Sequence, residues 1–163
     1  MSRKEHASET LATAFLRRNN VPFTEHLYDY VEHGGTGESA RQLGVDEHQV
    51  VKTLVMQDQD ARPLLVLMHG DRKVSLKNLA RQIGAKSVQP CTAETAQRQT
   101  GYRVGGTSPF GTRKNLPIYV EQSILSLAKI FINGGRRGFL VGIDPQVLTT
   151  VLHAQPVETA LAE

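Results

Sequence analysis

The stretch Val50-Val51-Lys52-Thr53-Leu54-Val55-Met56 decides how this chain is read. It is rich in apolar and β-branched residues, the composition of a buried strand. At a strand's period of two, Lys52 shares a face with Val50, Leu54 and Met56. An ammonium among apolar neighbours is costly to desolvate unless a carboxylate, a carbonyl or an anionic ligand meets it. A lone lysine of this kind on an edge strand snorkels to water. Here the rest of the chain supplies companions that turn it into a candidate site.

Working outward, Asp58-Gln59-Asp60 has turn composition and Pro63 to His69 is a second apolar run, so the two strands form a hairpin. Upstream, Ser8 to Arg18 has helical spacing and ends at Asn19-Asn20-Val21-Pro22, and Phe23 to Tyr30 alternates like a strand. His33 to Gly37 reads as a loop, followed by a short helix over Glu38–Leu43 closed by Gly44. Downstream, Ser75 is an N-cap for a helix ending before Gly84, and Thr92 caps another that ends at Gly101. Leu116 to Glu121 is a strand, and Lys129–Ile132 pairs with Phe139–Ile143 across a glycine-rich connection. Asp144-Pro145 starts a last helix through about Leu152. Strands mixed with short helices and hairpins imply an α+β fold with a mixed sheet. No repeat or linker divides the chain, so residues 1–163 are expected to form a single domain.

With 163 residues, 39% hydrophobic and 21% charged, the chain can bury a sizeable core. No apolar stretch is long enough to span a membrane. The basic start Met1 to His6 lacks the apolar segment of a secretory signal. Cys91 stands alone, so no internal disulfide forms, and a reducing, cytoplasmic location is expected. The net charge of +3 and pI of about 9.2 are mild. Arg72-Lys73 with Lys77 and Arg81, Arg113-Lys114, and Arg136-Arg137 are local clusters suited to phosphates. Aromatic content of 6% without tryptophan argues against a base-stacking platform.

The chemical companions of Lys52 are two glycine-rich segments. Gly101-Tyr102-Arg103-Val104-Gly105-Gly106-Thr107-Ser108-Pro109-Phe110-Gly111 allows close backbone approach and exposed amides. Asn133-Gly134-Gly135-Arg136-Arg137-Gly138 joins two apolar runs. The chain has no phosphate-loop ending, no His-Glu-x-x-His and no Cys-x-x-Cys, so neither a metal nor a cofactor is expected. The histidines are scattered. Cys91, in Gln89-Pro90-Cys91-Thr92, matches no thiol-enzyme pattern, and Ser108 is not a nucleophile elbow but a loop hydroxyl for substrate or backbone.

Taken in order, Val51-Lys52-Thr53-Leu54, Gly101-Tyr102-x-x-Gly105-Gly106-x-Ser108-Pro109 and Gly134-Gly135-x-Arg137-Gly138 resemble the YbaK/EbsC family. That family includes Cys-tRNA(Pro) deacylases and is similar to the editing domain of bacterial prolyl-tRNA synthetases. The likeness runs from about Phe15 to Leu152. It implies a strongly curved, partly barrel-like mixed sheet surrounded by short helices. It also implies a trans-editing deacylase acting on Cys-tRNA(Pro), with the substrate's own thiol attacking its ester. The enzyme then needs only to position the aminoacyl end and stabilise charge. In that scheme Lys52, Gly105 and Gly106 are catalytic, with Lys52 on the ribose or a phosphate and the glycine amides on the oxyanion or the terminal adenosine. Tyr28 and Thr53 are pocket walls, and Ser108, Asn133 and Gly134 bind substrate. Asp144 either orients the lysine or the substrate amine or is only a helix cap. Asn133 stands where some relatives carry serine, which puts substrate choice in question.

The implied partners are the acceptor end of tRNA(Pro) and prolyl-tRNA synthetase. Cysteine and proline are close in size, and an apolar synthetase pocket separates such side chains only weakly. Two rivals remain at this point: a water-using deacylase for another misacylated tRNA such as Ala-tRNA(Pro), and a noncatalytic module that docks on tRNA or a synthetase. The oligomeric state is not legible.

Overall fold

The structure is a computed structural model that describes residues 9–161. The quoted stretch lies in β2, Val50–Asp58, which pairs antiparallel with β3, Pro63–His69, in register from Val51 opposite His69 to Gln57 opposite Pro63. Asp58 closes the hairpin: its carboxylate accepts the amides of Asp60 at 2.9 Å and Arg62 at 3.0 Å. This satisfies the turn's donors with one short side chain.

The opposite edge of β2 is divided. β7, Ile130–Arg136, runs parallel to it at Val50 and Val51, while β5, Val88–Pro90, pairs antiparallel at Met56 to Asp58. Between them, Lys52 to Val55 have no ladder partner on that edge among the described residues. Beyond β7 come β8, Phe139–Ile143, and β1, Thr24–Leu27; beyond β3 come β6, Ile118–Glu121, and β9, Gln155–Val157. The order β1-β8-β7-β2-β3-β6-β9 mixes parallel and antiparallel neighbours, as expected. β4, Lys73–Val74, pairs separately with β10, Ala160–Leu161.

Helices α1 (Leu11–Arg18), α2 (Gly35–Leu43), α3 (Leu76–Ile83), α4 (Ala93–Thr100) and α5 (Val147–Thr150) surround the sheet. Ser75 and Thr92 cap α3 and α4 as expected, and Gly44, Gly84 and Gly101 end their helices in the left-handed region. The capping box of α1 is made by Thr10 and Thr13; the expected start at Ser8 lies outside the described residues.

Several boundaries differ. The first strand is Thr24–Leu27 rather than Phe23–Tyr30, because Tyr28 already turns its amide to the Gly138 carbonyl. α2 starts at Gly35, inside the expected loop. The last helix stops at Thr150, not Leu152, and the chain turns back to lay β9 against β6. The short strands β4, β5, β9 and β10 carry no readable period; tertiary pairing creates them.

Alternation along β2 distributes its side chains among separate cores. Val51 joins Leu16, Leu67, Phe110, Ile132 and Phe139. Val50 packs with Ala40, Phe131 and Leu140, and Met56 with Leu64, Val66, Leu79 and Val88. Lys52 lies between the last two clusters on one face, where neither fills the space.

Candidate active site

The gap in the β2 edge opens into a cavity of about 620 Å³. Its walls come from Val50 to Val55, the β1–α2 connection with the start of α2, Cys91 with the start of α4, the Val104-Gly105 loop, and Asn133 and Arg137 of the β7–β8 connection. Leu54, Val55, Ala93, Ala96 and Leu140 make much of this lining apolar.

Lys52 is half-buried and donates from Nζ to the Gly70 carbonyl at 3.3 Å. The same carbonyl accepts the Thr36 hydroxyl at 3.2 Å, and Thr36 also reaches the Glu47 carboxylate at 2.8 Å. The Gly70 carbonyl dipole thus helps to hold the half-buried lysine at the cavity wall.

Thr53 contributes mainly through its backbone. Polar groups of alternate strand residues point to the same edge, and the Val55 carbonyl there accepts the Cys91 amide at 3.0 Å. The Thr53 amide and carbonyl therefore face the gap, where the ladder supplies no partner. The Thr53 hydroxyl is buried and has no hydrogen-bond partner among the described residues.

The mouth is tied together by Arg137. Its Nε donates to the Val104 carbonyl at 2.8 Å, and its guanidinium lies 4.8 Å from the Tyr30 ring centroid. Asn133 donates from Nδ2 to the Gly105 carbonyl at 3.1 Å and accepts the Gly135 amide at 2.7 Å. The Asn133 side chain thus clasps the glycine loop to the β7 bulge. Tyr28 forms part of the wall, and burial pushes its phenol upward, so it stays protonated.

The expected site residues separate into two groups. Lys52, Thr53, Tyr28, Gly105 and Asn133 line the cavity. Gly106, Ser108, Gly134 and Asp144 do not. The Gly106 amide donates to the Arg103 carbonyl at 2.8 Å, so the expected pair of outward amides is not formed. A Cβ on Gly106 would come within 2.8–2.9 Å of the Arg136–Arg137 backbone, and this close packing is why the position is glycine. Ser108 is fully buried and accepts the Phe110 amide at 3.0 Å, which fixes the turn before Phe110. Gly134 lies under the Phe139 ring, and its carbonyl accepts the Thr10 hydroxyl at 2.5 Å. Asp144 is exposed and accepts the Gln146 amide at 2.9 Å, closing the turn ahead of α5, whose N-cap is Gln146 rather than Asp144.

Cys91 is in the wall, although the sequence set it aside as a nucleophile. Its thiol points to Gln57 Oε1 at 3.5 Å, and burial pushes it up, so it is protonated near neutral pH. Tyr30, Thr36 and Arg137 were not singled out as site residues. Arg137 had a signal in Gly-Gly-x-Arg-Gly; Tyr30 and Thr36 come from a connection with no pattern. His48, His69 and Asp71 place donor atoms within 4.8 Å of one another. Their geometry does not fit a shared ion: the two imidazoles are stacked 3.7 Å apart at 7°, and ring lone pairs lie in parallel planes.

Residues 34–151 match the model of the aminoacyl-tRNA editing domain. The chain belongs to that family. The matched region carries Lys52, the Val104-Gly105 loop and the β7–β8 connection, all of which line the cavity. Membership makes the protein a hydrolase of the aminoacyl-tRNA deacylase class. Over all of both chains it is 27% identical to a protein of Enterococcus faecalis named as a candidate Cys-tRNA(Pro)/Cys-tRNA(Cys) deacylase, EbsC. It is 29% identical over 66% of its length to the proline–tRNA ligase of Streptococcus equi subsp. zooepidemicus, of which the match covers 18%. The fold matches the crystal structure of a candidate trans-editing enzyme for prolyl-tRNA synthetase with a TM-score of 0.81, at 22% identity and covering 96% of this chain and 100% of that one.

Proposed function

We propose that this chain is a trans-editing deacylase of Cys-tRNA(Pro) that lets the substrate's thiol open its own ester. The observation that carries the reading is a cavity built around a held cation and an open strand edge, without an activated enzyme nucleophile among its described lining residues. The Cys91 thiol is kept protonated by burial, and Glu38 is tied to Arg41 at 2.5 Å. The name given to the Enterococcus faecalis relative favours the same substrate.

The aminoacyl end enters with its side chain against Leu54, Val55 and Ala96. Lys52 meets the ribose or a phosphate of the terminal nucleotide as a point charge. With the Gly106 amide committed to Arg103, the Thr53 amide in the β2 gap becomes the donor for the carbonyl oxygen. The cysteine sulfur attacks the carbonyl carbon; the C–S bond forms, the bond to the ribose oxygen breaks, and the thiol proton ends on that oxygen. Water then opens the cyclic thioester. Preorganised donors of this kind lower barriers because they need no reorientation as charge develops. Exposed Arg103, Arg113, Lys114 and Arg136 supply phosphate contacts for the acceptor end, and the protein works beside prolyl-tRNA synthetase in the cytoplasm.

The test is one preparation assayed on Cys-, Ser- and Ala-tRNA(Pro), with a search for the cyclic thioester. Rapid loss of cysteine alone, with that product, supports the reading, because a hydroxyl is a far weaker nucleophile than a thiol. Comparable rates for all three esters without it replace the substrate-thiol step by water. No hydrolysis of any of them leaves a binding module.

A further inference from the structure

Flanking Gly70, whose carbonyl receives Lys52, is a cluster that the deacylase chemistry does not use. His69 is buried at 1% exposure at the end of β3. Its Nδ1–H donates to the His48 carbonyl at 2.8 Å, and its Nε2 lies 2.7 Å from the Ser123 hydroxyl, which also contacts the Glu121 carboxylate at 3.3 Å. The His48 ring stacks on it at 3.7 Å and donates from Nδ1 to the Asp71 carboxylate at 2.9 Å.

These contacts bracket Gly70. The residue before it is pinned through His69, and the residue after it through Asp71, by one stack of two rings. Gly70 itself donates its amide to the Val50 carbonyl at 2.6 Å. A Cβ there would stand 2.6 Å from the Thr36 hydroxyl and 2.8 Å from the Val50 carbonyl, so only glycine lets the chain pass this close. The peptide following Gly70 is therefore oriented from both sides, and its carbonyl receives both Lys52 and Thr36. A catalytic charge displaced by about 1 Å can cost on the order of 10²-fold in rate. Gly70 sits at the strand end, where the β2–β3 ladder has already stopped at Val51 opposite His69. Past the Gly70–Val50 backbone bond, side chains supply the remaining constraint on the Gly70 carbonyl.

We propose that the stacked His48–His69 pair, with Asp71, is a positioning device that holds the Gly70 carbonyl and through it the Lys52 ammonium at the cavity wall. His48, His69 and Asp71 are positioning residues that do not touch substrate. This rests on the reading of Lys52 as a substrate-contacting group.

The experiment combines an activity readout with one that needs no activity. The full chain and its His48→Ala, Asp71→Ala, Asp71→Asn and His69→Asn variants are labelled briefly with N-acetoxysuccinimide. Acetylation of Lys52 is read by peptide mass spectrometry against exposed Lys77, and deacylation is followed on Cys- and Ala-tRNA(Pro). His48→Ala and Asp71→Ala change Lys52 labelling at least about threefold relative to Lys77 and lower kcat about tenfold, with KM within about twofold. Asp71→Asn restores both, since an amide oxygen still accepts from His48. His69→Asn, which keeps a donor toward the His48 carbonyl, falls between. His48 and Asp71 are both partly exposed, so their variants fold even where the His69 variant does not. Unchanged Lys52 labelling in His48→Ala and Asp71→Ala overturns the proposal, whatever the rates do. Altered labelling in a protein that hydrolyses neither ester upholds the positioning device and defeats the deacylase reading instead.

Discussion

The β2 edge and the glycine-rich segments both surround the cavity, yet they contribute differently. At β2, the ladder stops at Val51 and resumes at Met56, and the interval presents functional groups: the Lys52 ammonium and the Thr53 main chain. In Gly101–Gly111 and Asn133–Gly138 most of the distinctive residues are spent on packing. Gly106 fits against the Arg136–Arg137 backbone, Ser108 closes a turn, and Gly134 passes under Phe139. A strand edge left unpaired exposes chemistry, whereas a glycine loop here mainly sets shape. A motif residue marks a constraint, and only its contacts say whether the constraint is chemical or steric.

The sharpest way to break this contrast is Lys52→Ala. Loss of a preorganised charge at the site is expected to lower kcat/KM by about 10²–10³-fold while the thermal midpoint changes little. A folded variant with normal turnover on Cys-tRNA(Pro) would place the chemistry elsewhere.

Gly106→Ala tests the steric half. The added methyl meets backbone rather than a flexible side chain, so a stability loss of about 1–3 kcal/mol is expected in denaturant titration. If stability were unchanged and only turnover fell, the Gly106 amide would return as a catalytic donor.

Asn133→Ser separates clasp from chemistry. Serine is too short to reach both Gly105 and Gly135, so a several-fold loss of turnover is expected, read as a change in kcat with the three tRNA esters. A change in the ranking of those esters would make Asn133 a specificity residue instead.

Cys91→Ala should alter the rate less than about twofold, because a protonated thiol held by Gln57 is a poor nucleophile. Inactivation would move the attacking sulfur from substrate to enzyme.

The smallest effect is on stability against pH. Burial holds His69 below the usual histidine range, and burial with Lys129 does the same for His26. The unfolded chain then binds protons at higher pH than the folded one. Their contribution is full above the ordinary histidine range and declines as pH falls through it toward the lowered folded values. His69→Asn should flatten this slope between about pH 7.5 and 5.5 in denaturant titrations; an unchanged slope would assign it to His26.

Local order was readable where a residue's own neighbours decide the outcome. The apolar runs of β2 and β3, the caps at Ser75 and Thr92, and the stops at Gly44, Gly84 and Gly101 follow from period, hydrogen-bonding side chains and left-handed backbone. The burdened position of Lys52 was visible for the same reason: a period of two puts its charge among Val50, Leu54 and Met56. Other features depend on segments far apart in the chain. The gap beside Lys52 exists only because β5 and β7 meet β2 at different points, and β5 is three residues long with no period of its own. The bracketing of Gly70 depends on His48 and Ser123 packing around His69, and the clasp on the glycine loop depends on Asn133 reaching the Gly105 carbonyl. Sequence pattern specifies which residues must be buried or turned. It cannot specify which distant backbone groups they will meet, and that meeting is what makes the cavity a site.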